Sequence, residues 1–162
     1  MTLRKVSFLI LALLLATTTG FPVHRSFSPP PPPPSVAGLW DFKLDVNRMV
    51  GKDGFVRKQL RSFEWVIRLK QEGGKVTGDL IGGKGSRGES VCADGDVRGA
   101  INGTRIELVV AYQGNCCSQE QEKFVGEVDD SGKTINGTLE PVDVPRAYDC
   151  SLAYADVKGT KR

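Results

Sequence analysis

Four segments of the chain repeat one local pattern, in which two apolar residues flank a central glycine at a distance of two positions. They lie at residues 76–80, 97–101, 124–128 and 135–139. Alternate residues of a β-strand face the same side of the sheet, so each glycine would lie between two inward apolar side chains. Glycine at such a position lets a sheet bend sharply, as barrel corners require. The four segments therefore predict a strongly curved, closing sheet.

The other apolar residues of the domain also recur with period two, which is typical of half-buried strands. Trp40, Phe42, Leu44 and Val46 alternate with charged residues, and 63–69 shows the same alternation. No segment predicts a helix longer than the one or two turns that residues 48–61 could hold. The pattern predicts eight strands, near residues 37–46, 62–71, 75–82, 94–101, 104–113, 122–129, 133–140 and 147–157.

The connections between these strands fall into two classes. Short turn signals, Glu72-Gly73-Gly74, Asn102-Gly103 and Asp130-Ser131-Gly132, join strands 2–3, 4–5 and 6–7. The longer connections, 47–61, 83–93, 114–121 and 141–146, must then lie together at the opposite end. The sequence thus predicts an all-β domain, a small antiparallel up-and-down β-barrel of about eight strands, with a β-sandwich of the same strands as the alternative.

The N-terminus has the three regions of a signal peptide. Arg4 and Lys5 precede an apolar run at 6–16, and small or hydroxyl residues follow to Gly20. The apolar run is about half of the roughly 20 residues that a membrane-spanning helix needs. We therefore expect residues 1–20 to be removed, after Gly20 or Ala16, leaving no transmembrane segment in the mature form and a secreted, periplasmic or extracellular location.

A proline run at 29–34 lies between this leader and the first strand. Such a run forms a stiff polyproline II rod, which indicates a linker over residues 21–35. The barrel domain is then expected at 36–158, with a C-terminal tail at 159–162. Without the leader, 20 basic residues face 19 acidic ones. A net charge this small predicts no nucleic-acid partner.

Four cysteines, an even number, are expected to form two disulfides in an exported protein. They are Cys92, Cys116, Cys117 and Cys150. In the barrel topology all four lie at the end that carries the loops. Adjacent cysteines rarely bond each other, so Cys116 and Cys117 should each pair with one of the other two, in either combination. Free thiols and metal binding are the alternatives, but the only histidine precedes the domain and no pair of C-x-x-C motifs exists, so we expect no metal site.

Gly38-Leu39-Trp40 opens the first strand, and the eight-strand meander follows it. This arrangement resembles the calycins, which include the lipocalins and avidins and also begin with Gly-x-Trp. The resemblance implies a ligand-binding barrel whose floor is closed by Trp40. It implies no particular binding residue, because later lipocalin signatures and the Asn, Ser, Tyr and Trp set that holds biotin in avidins are absent.

No catalytic residue, cofactor or metal is predicted. Without a histidine in the domain, Ser–His and Cys–His nucleophiles cannot be built. The glycine-rich stretch 82–88 lacks the P-loop spacing and opens no helix. Most aspartates fall in turns or on outward strand faces. Asp156 shares parity with Leu152 and Tyr154, which predicts that it points inward and forms an ion pair with Arg105 or Lys43.

The expected function is therefore a secreted lipocalin-like binding module for a small-molecule or anionic ligand at the barrel mouth. The predicted ligand-binding residues are five basic side chains of the loop-bearing end and two aromatic ones of the inner wall: Arg48, Arg57, Lys58, Lys84, Arg87, Trp65 and Tyr112. The alternative is a disulfide-stabilised structural or inhibitory protein whose packed barrel binds an extracellular protein partner through its loops. Asn102 and Asn136 match the N-glycosylation pattern.

Overall fold

The structure is a computed structural model that describes residues 31–51, 53–88, 91, 94–113, 120–142 and 152–162. These residues form an all-β domain with no helix in the described ranges. Consecutive strands pair antiparallel and β1 pairs with β8, so the sheet closes into an up-and-down barrel and the sandwich alternative is wrong. The strands are β1 (Gly38–Val50), β2 (Val56–Glu72), β3 (Lys75–Gly85), β4 (Gly95–Asn102), β5 (Arg105–Tyr112), β6 (Gln121–Val128), β7 (Thr134–Pro141) and β8 (Leu152–Lys161).

The two ends of the barrel differ as the turn signals predict. Short connections join β2 to β3, β4 to β5 and β6 to β7. Gly73 and Gly103 lie in the first two of these turns with φ of 59° and 58°, a region that glycine enters without steric cost. The start of β1 and the end of β8 meet at this same end, hereafter the tight end. The opposite ends of the strands, where β1 turns into β2, form the other end of the barrel, hereafter the loop-bearing end.

Trp40 closes the tight end. Its side chain is fully buried, and its Nε1–H donates a hydrogen bond of 2.8 Å to the carbonyl oxygen of Val36. Phe42 packs behind it, with ring centroids 6.0 Å from both Trp40 and Phe124. The aromatic stack fills the barrel axis at this end, so the floor that the Gly-x-Trp pattern implies is present.

The glycines of the repeated pattern lie where neighbouring strands approach most closely. A Cβ added at Gly99 would overlap the backbone carbonyl of Glu107 on β5, and one at Gly78 would overlap that of Arg68 on β2. Gly126 and Gly137 face each other across β6 and β7. The sharp curvature predicted from these glycines is confirmed.

We expect Gly99→Ala to lower the free energy of unfolding by about 2–3 kcal/mol, since the methyl group can be accommodated only by moving strand backbone. Gly82→Ala is the matched control, because a Cβ there meets only the Val66 side chain, at 3.8 Å. Urea denaturation of both variants measures the difference. Equal stability of the two variants would contradict the close approach of β4 and β5.

Two strand predictions are wrong. Residues 47–50 and 56–61 are strand rather than loop or helix: β1 and β2 continue as a paired hairpin as far as Val50 opposite Val56. The last strand ends at Lys161 rather than 157, so most of the predicted tail belongs to β8. Its inward residues are Ala153, Ala155, Val157 and Gly159, which pair with inward residues of β1 and β7.

This parity turns Tyr154 and Asp156 outward, and Asp156 is exposed. The predicted inward ion pair of Asp156 is therefore wrong. Its suggested partners are engaged elsewhere: Lys43 pairs with Asp45 at 3.2 Å, and Arg105 with Glu107 at 3.0 Å.

Several predictions concern residues outside the described ranges and stay predictions. These are the signal peptide at 1–20, most of the linker at 21–35 and the four cysteines. Residues 31–37 form no strand or helix. No helix in the described part of the chain has the length and apolar character needed to cross a membrane.

Candidate functional site

A carboxyl group lies inside the barrel near the loop-bearing end. Glu122 is only 2% exposed, and it shares the inward face of β6 with Phe124 and Gly126. Its Oε1 accepts a hydrogen bond of 2.6 Å from the backbone N–H of Ala153 on β8. Its Oε2 lies 2.5 Å from the hydroxyl of Tyr112 on β5, which donates to it. The carboxyl therefore links three strands across the interior.

Tyr112, which contacts this carboxyl, also contacts a second aromatic residue, Trp65. Tyr112 and Trp65 meet edge to face, with ring centroids 6.1 Å apart and an interplanar angle of 73°. Trp65 lies opposite Gly83 on β3, and Tyr112 lies opposite Gly95 on β4. We call Trp65, Tyr112, Glu122 and Ala153 the Glu122 cluster. The cluster combines the surface of two aromatic rings with the Glu122 carboxyl. The residues opposite the two rings, Gly83 and Gly95, have no side chains.

Burial sets the protonation of this cluster. Loss of hydration raises the pKa of the Glu122 carboxyl from 4.5 to about 7. The hydrogen bonds from Ala153 and Tyr112 oppose the rise, and the nearby Glu120 carboxylate adds to it. Burial likewise raises the pKa of Tyr112 well above 10, so its hydroxyl stays protonated. Near neutral pH the Glu122 carboxyl can therefore lose its proton, whereas the Tyr112 hydroxyl keeps its own.

The aromatic side chains of the Glu122 cluster are nearly but not completely buried. Trp65 and Tyr112 keep 7% and 8% of their surface accessible, and Glu122 keeps 2%. A mostly apolar lining with a few placed polar groups is the composition typical of small-molecule sites.

The structure brings together the two aromatic residues of the predicted site and separates them from its basic residues. Arg48 is exposed on β1, with its guanidinium carbon 4.4 Å from the centre of the outward Tyr154 ring. Lys58 lies opposite Arg48 in register, and both line a surface groove of about 410 Å³ with Asn47 and Val56. Neither cation reaches the Glu122 cluster.

The other basic residues also lie on the outside. Arg57 donates a hydrogen bond of 2.8 Å to Asp53 in the β1–β2 turn, an interaction that lowers the pKa of Asp53 to about 2. Lys84 pairs with Glu64 at 2.8 Å on the outer wall. Arg87 is exposed in the turn that follows β3. The basic residues predicted to line the barrel mouth are therefore all on the outer surface. Three of them, Arg48, Arg57 and Lys58, belong to the β1–β2 hairpin.

The sequence interpretation missed Glu122, although the signal for it was present. Glu122 precedes Phe124 by two positions, so the period-two pattern of the 124–128 segment also places it inward. The general rule that glutamate is rarely buried argues the other way, and here the Tyr112 and Ala153 donors offset the cost of burial. Within the described ranges, no three His, Cys, Asp or Glu side chains group as metal ligands would.

The protein is a small closed antiparallel barrel. Inside it, near the loop-bearing end, a titratable carboxyl group lies next to aromatic side chains. No protein-family model matches the chain, and no curated protein matches it significantly. The outer surface carries the two predicted glycosylation positions, since Asn102 and Asn136 are both exposed.

Proposed function

We propose that the chain is an exported, calycin-like binding module that takes a small, largely apolar ligand into the loop-bearing end of its barrel. The observation that carries this proposal is the Glu122 cluster, a buried carboxyl and hydroxyl beside an aromatic wall. Small-molecule sites typically combine a mostly apolar lining with a few placed polar groups. The Glu122 and Tyr112 groups would hydrogen-bond one polar atom of the ligand, and the Trp65 ring would contact its apolar body.

The chemistry of the cluster favours a neutral ligand with a hydrogen-bonding group over an anion. A buried carboxyl repels an anion once it ionises, and the cations expected at the mouth lie on the outer surface. The carbonyl or hydroxyl of an otherwise apolar molecule would pair with the protonated carboxyl of Glu122 without adding a buried charge.

Native mass spectrometry of the protein from an exporting host tests this proposal. A bound small molecule that is released on denaturation would support it and give the ligand's mass. A protein that carries no ligand and that binds no neutral apolar fluorescent probe, such as N-phenyl-1-naphthylamine, would contradict it. That outcome would favour the alternative of a packed barrel that meets a protein partner through its loops.

We expect Trp65→Ala to weaken probe or ligand binding by about tenfold or more, because it removes the largest apolar surface of the cluster. Tyr112→Phe should weaken binding less, since it deletes one hydroxyl and keeps the ring. Fluorescence titration measures both effects. The matched control is Lys70→Gln, an exposed residue on the outward face of the same strand as Trp65; equal losses in this control would show that the probe binds elsewhere.

A further inference from the structure

The β1–β2 hairpin continues at the loop-bearing end past the last pairing of β2 with β3. Pairing of β2 with β3 ends at Phe63 opposite Gly85, whereas β1 and β2 stay paired to Val50 opposite Val56. The β1 strand also pairs with β8 as far as Val50 opposite Leu152, so the side of the hairpin with no described strand beside it is the β2 side. The turn is closed by backbone hydrogen bonds from Gly54 to Gly51, at 2.8 Å, and from Gly51 to Phe55, at 3.0 Å. We call residues 48–51 and 53–61 the arm.

The arm carries the most exposed large apolar side chains of the described residues. Leu60 is 75% exposed, Phe55 68% and Val56 48%. Such residues usually lie inside a domain, and the inward faces of the other strands follow that rule. Three of them within six positions of one hairpin indicate a surface that becomes covered when it meets a partner.

The same arm is strongly basic. Arg48, Arg57, Lys58 and Arg61 are all exposed, and the only acidic residue of the arm is Asp53, which Arg57 neutralises. This charge is local, because basic and acidic residues nearly balance over the chain without its leader. A partner of the arm must therefore combine negative charge with an apolar phase that accepts single protruding side chains.

We propose that the arm docks the protein onto an anionic lipid surface. Phe55, Val56 and Leu60 would enter the boundary between headgroups and acyl chains, while the flanking cations pair with lipid phosphates. The three exposed apolar side chains of the arm offer on the order of a few hundred Å² of apolar surface, well below the roughly 800 Å² that each partner buries in a stable protein complex. A membrane accepts so small an apolar surface because charge attraction adds to the insertion of its side chains.

This proposal does not depend on the ligand site, since the arm residues lie outside the Glu122 cluster. It gives the domain a defined orientation, because the arm lies at the loop-bearing end of the barrel. A docked domain would present that end towards the lipid.

Co-sedimentation with lipid vesicles tests the proposal on protein from an exporting host, with its N-terminus established by mass so that no leader remains. We expect binding to vesicles with equal parts of phosphatidylglycerol and phosphatidylcholine, and little to pure phosphatidylcholine. The bound fraction should fall steeply between about 0.1 M and about 0.5 M salt, because added ions screen the arm's cations from the lipid phosphates.

Two arm variants separate the apolar contribution from the charge. Phe55→Ser with Leu60→Ser should reduce partitioning about tenfold or more at unchanged net charge. Lys58→Gln with Arg61→Gln should reduce it on anionic vesicles and flatten the salt dependence. Ile81→Ser is the matched control, since Ile81 is an exposed apolar residue of β3 outside the arm.

All three variants alter exposed side chains, so their thermal midpoints should match that of the parent and exclude misfolding as the cause of lost binding. Absence of binding to anionic vesicles, or an equal loss in Ile81→Ser, would overturn the proposal. Capture of an acidic protein by the arm, with no vesicle binding, would overturn it in favour of a protein partner.

Discussion

The free energy of unfolding is expected to fall by about 3 kcal/mol as the pH rises from about 4.5 to about 7. Burial raises the pKa of Glu122 in the folded state to about 7, against 4.5 for a solvated glutamate. Between these two values the folded protein holds a proton that the unfolded chain has released. Stability is therefore complete below pH 4.5, declines through this window and levels off above pH 7.

Two other carboxyls titrate below this window. Asp53 and Asp129 have pKa values lowered to about 2 by their hydrogen-bond donors. Stability that depends on their ionised forms is lost below pH 4, where Glu122 contributes no slope. The chain also contains one histidine, His24, whose contribution cancels when variants that both retain it are compared.

Glu122→Gln should remove the decline, because glutamine keeps the shape and a hydrogen-bonding amide but does not titrate. At about pH 8 this variant should be more stable than the parent by roughly 2–3 kcal/mol, the cost of the buried charge that it removes. Tyr112→Phe should shift the decline to higher pH, since it removes a donor that favours the ionised carboxyl. Urea denaturation from about pH 5 to about pH 8 gives all three curves. Parallel curves for the parent and Glu122→Gln would mean that Glu122 reaches water in the folded state.

Much of this fold can be predicted from the sequence because most of its strands follow one period-two alternation of apolar and polar residues. On β4, β6 and β7 the apolar residues and glycines are concentrated on one face, so the inward face of these strands can be assigned without the structure. Strand β8 is different. Leu152 and Tyr154 have one parity while Ala153, Ala155 and Val157 have the other, and both sets are apolar. The pairing of β8 with β1 determines which set faces inward. The larger residues, Leu152 and Tyr154, led the sequence prediction to choose the wrong face.

The arm was missed for a related reason. The β1 register shifts between Val46 and Arg48, and this bulge breaks the alternation that would have extended the strand. Beyond it Val50 is buried, but residues 55–58 of the returning strand are all exposed, so no period-two pattern marks this segment as strand. For the candidate site, Trp65 and Tyr112 can be predicted from inward parity. The contacts of Tyr112 with Glu122 and with Trp65 depend on how the strands are arranged in the closed barrel.

The largest loss of stability from a single side chain is expected for Trp40→Ala, about 3–5 kcal/mol. The substitution leaves a void in a fully buried floor and strands the carbonyl of Val36, which loses its donor. Small domains are stable by only about 5–15 kcal/mol, so this variant will be close to unfolding at physiological temperature. Trp40→Phe, which keeps an aromatic ring but not the donor, should lose less and keep the chain folded for comparison.

Comparing Trp65→Ala with Trp40→Ala measures how the two ends of the barrel differ in stability and binding. Trp40 and Trp65 are the only tryptophans in the chain, one at each end. The void left by Trp65→Ala opens within the Glu122 cluster, where water can hydrogen-bond, so the loss of stability should be smaller than for Trp40→Ala by at least about 1 kcal/mol. Its effect on ligand or probe binding should be the larger one, whereas Trp40→Phe should bind as the parent does. Urea denaturation and fluorescence titration on the same preparations give both quantities. If Trp40→Phe lost binding while Trp65→Ala kept it, the ligand would enter from the tight end, and the assignment of floor and mouth would have to be reversed.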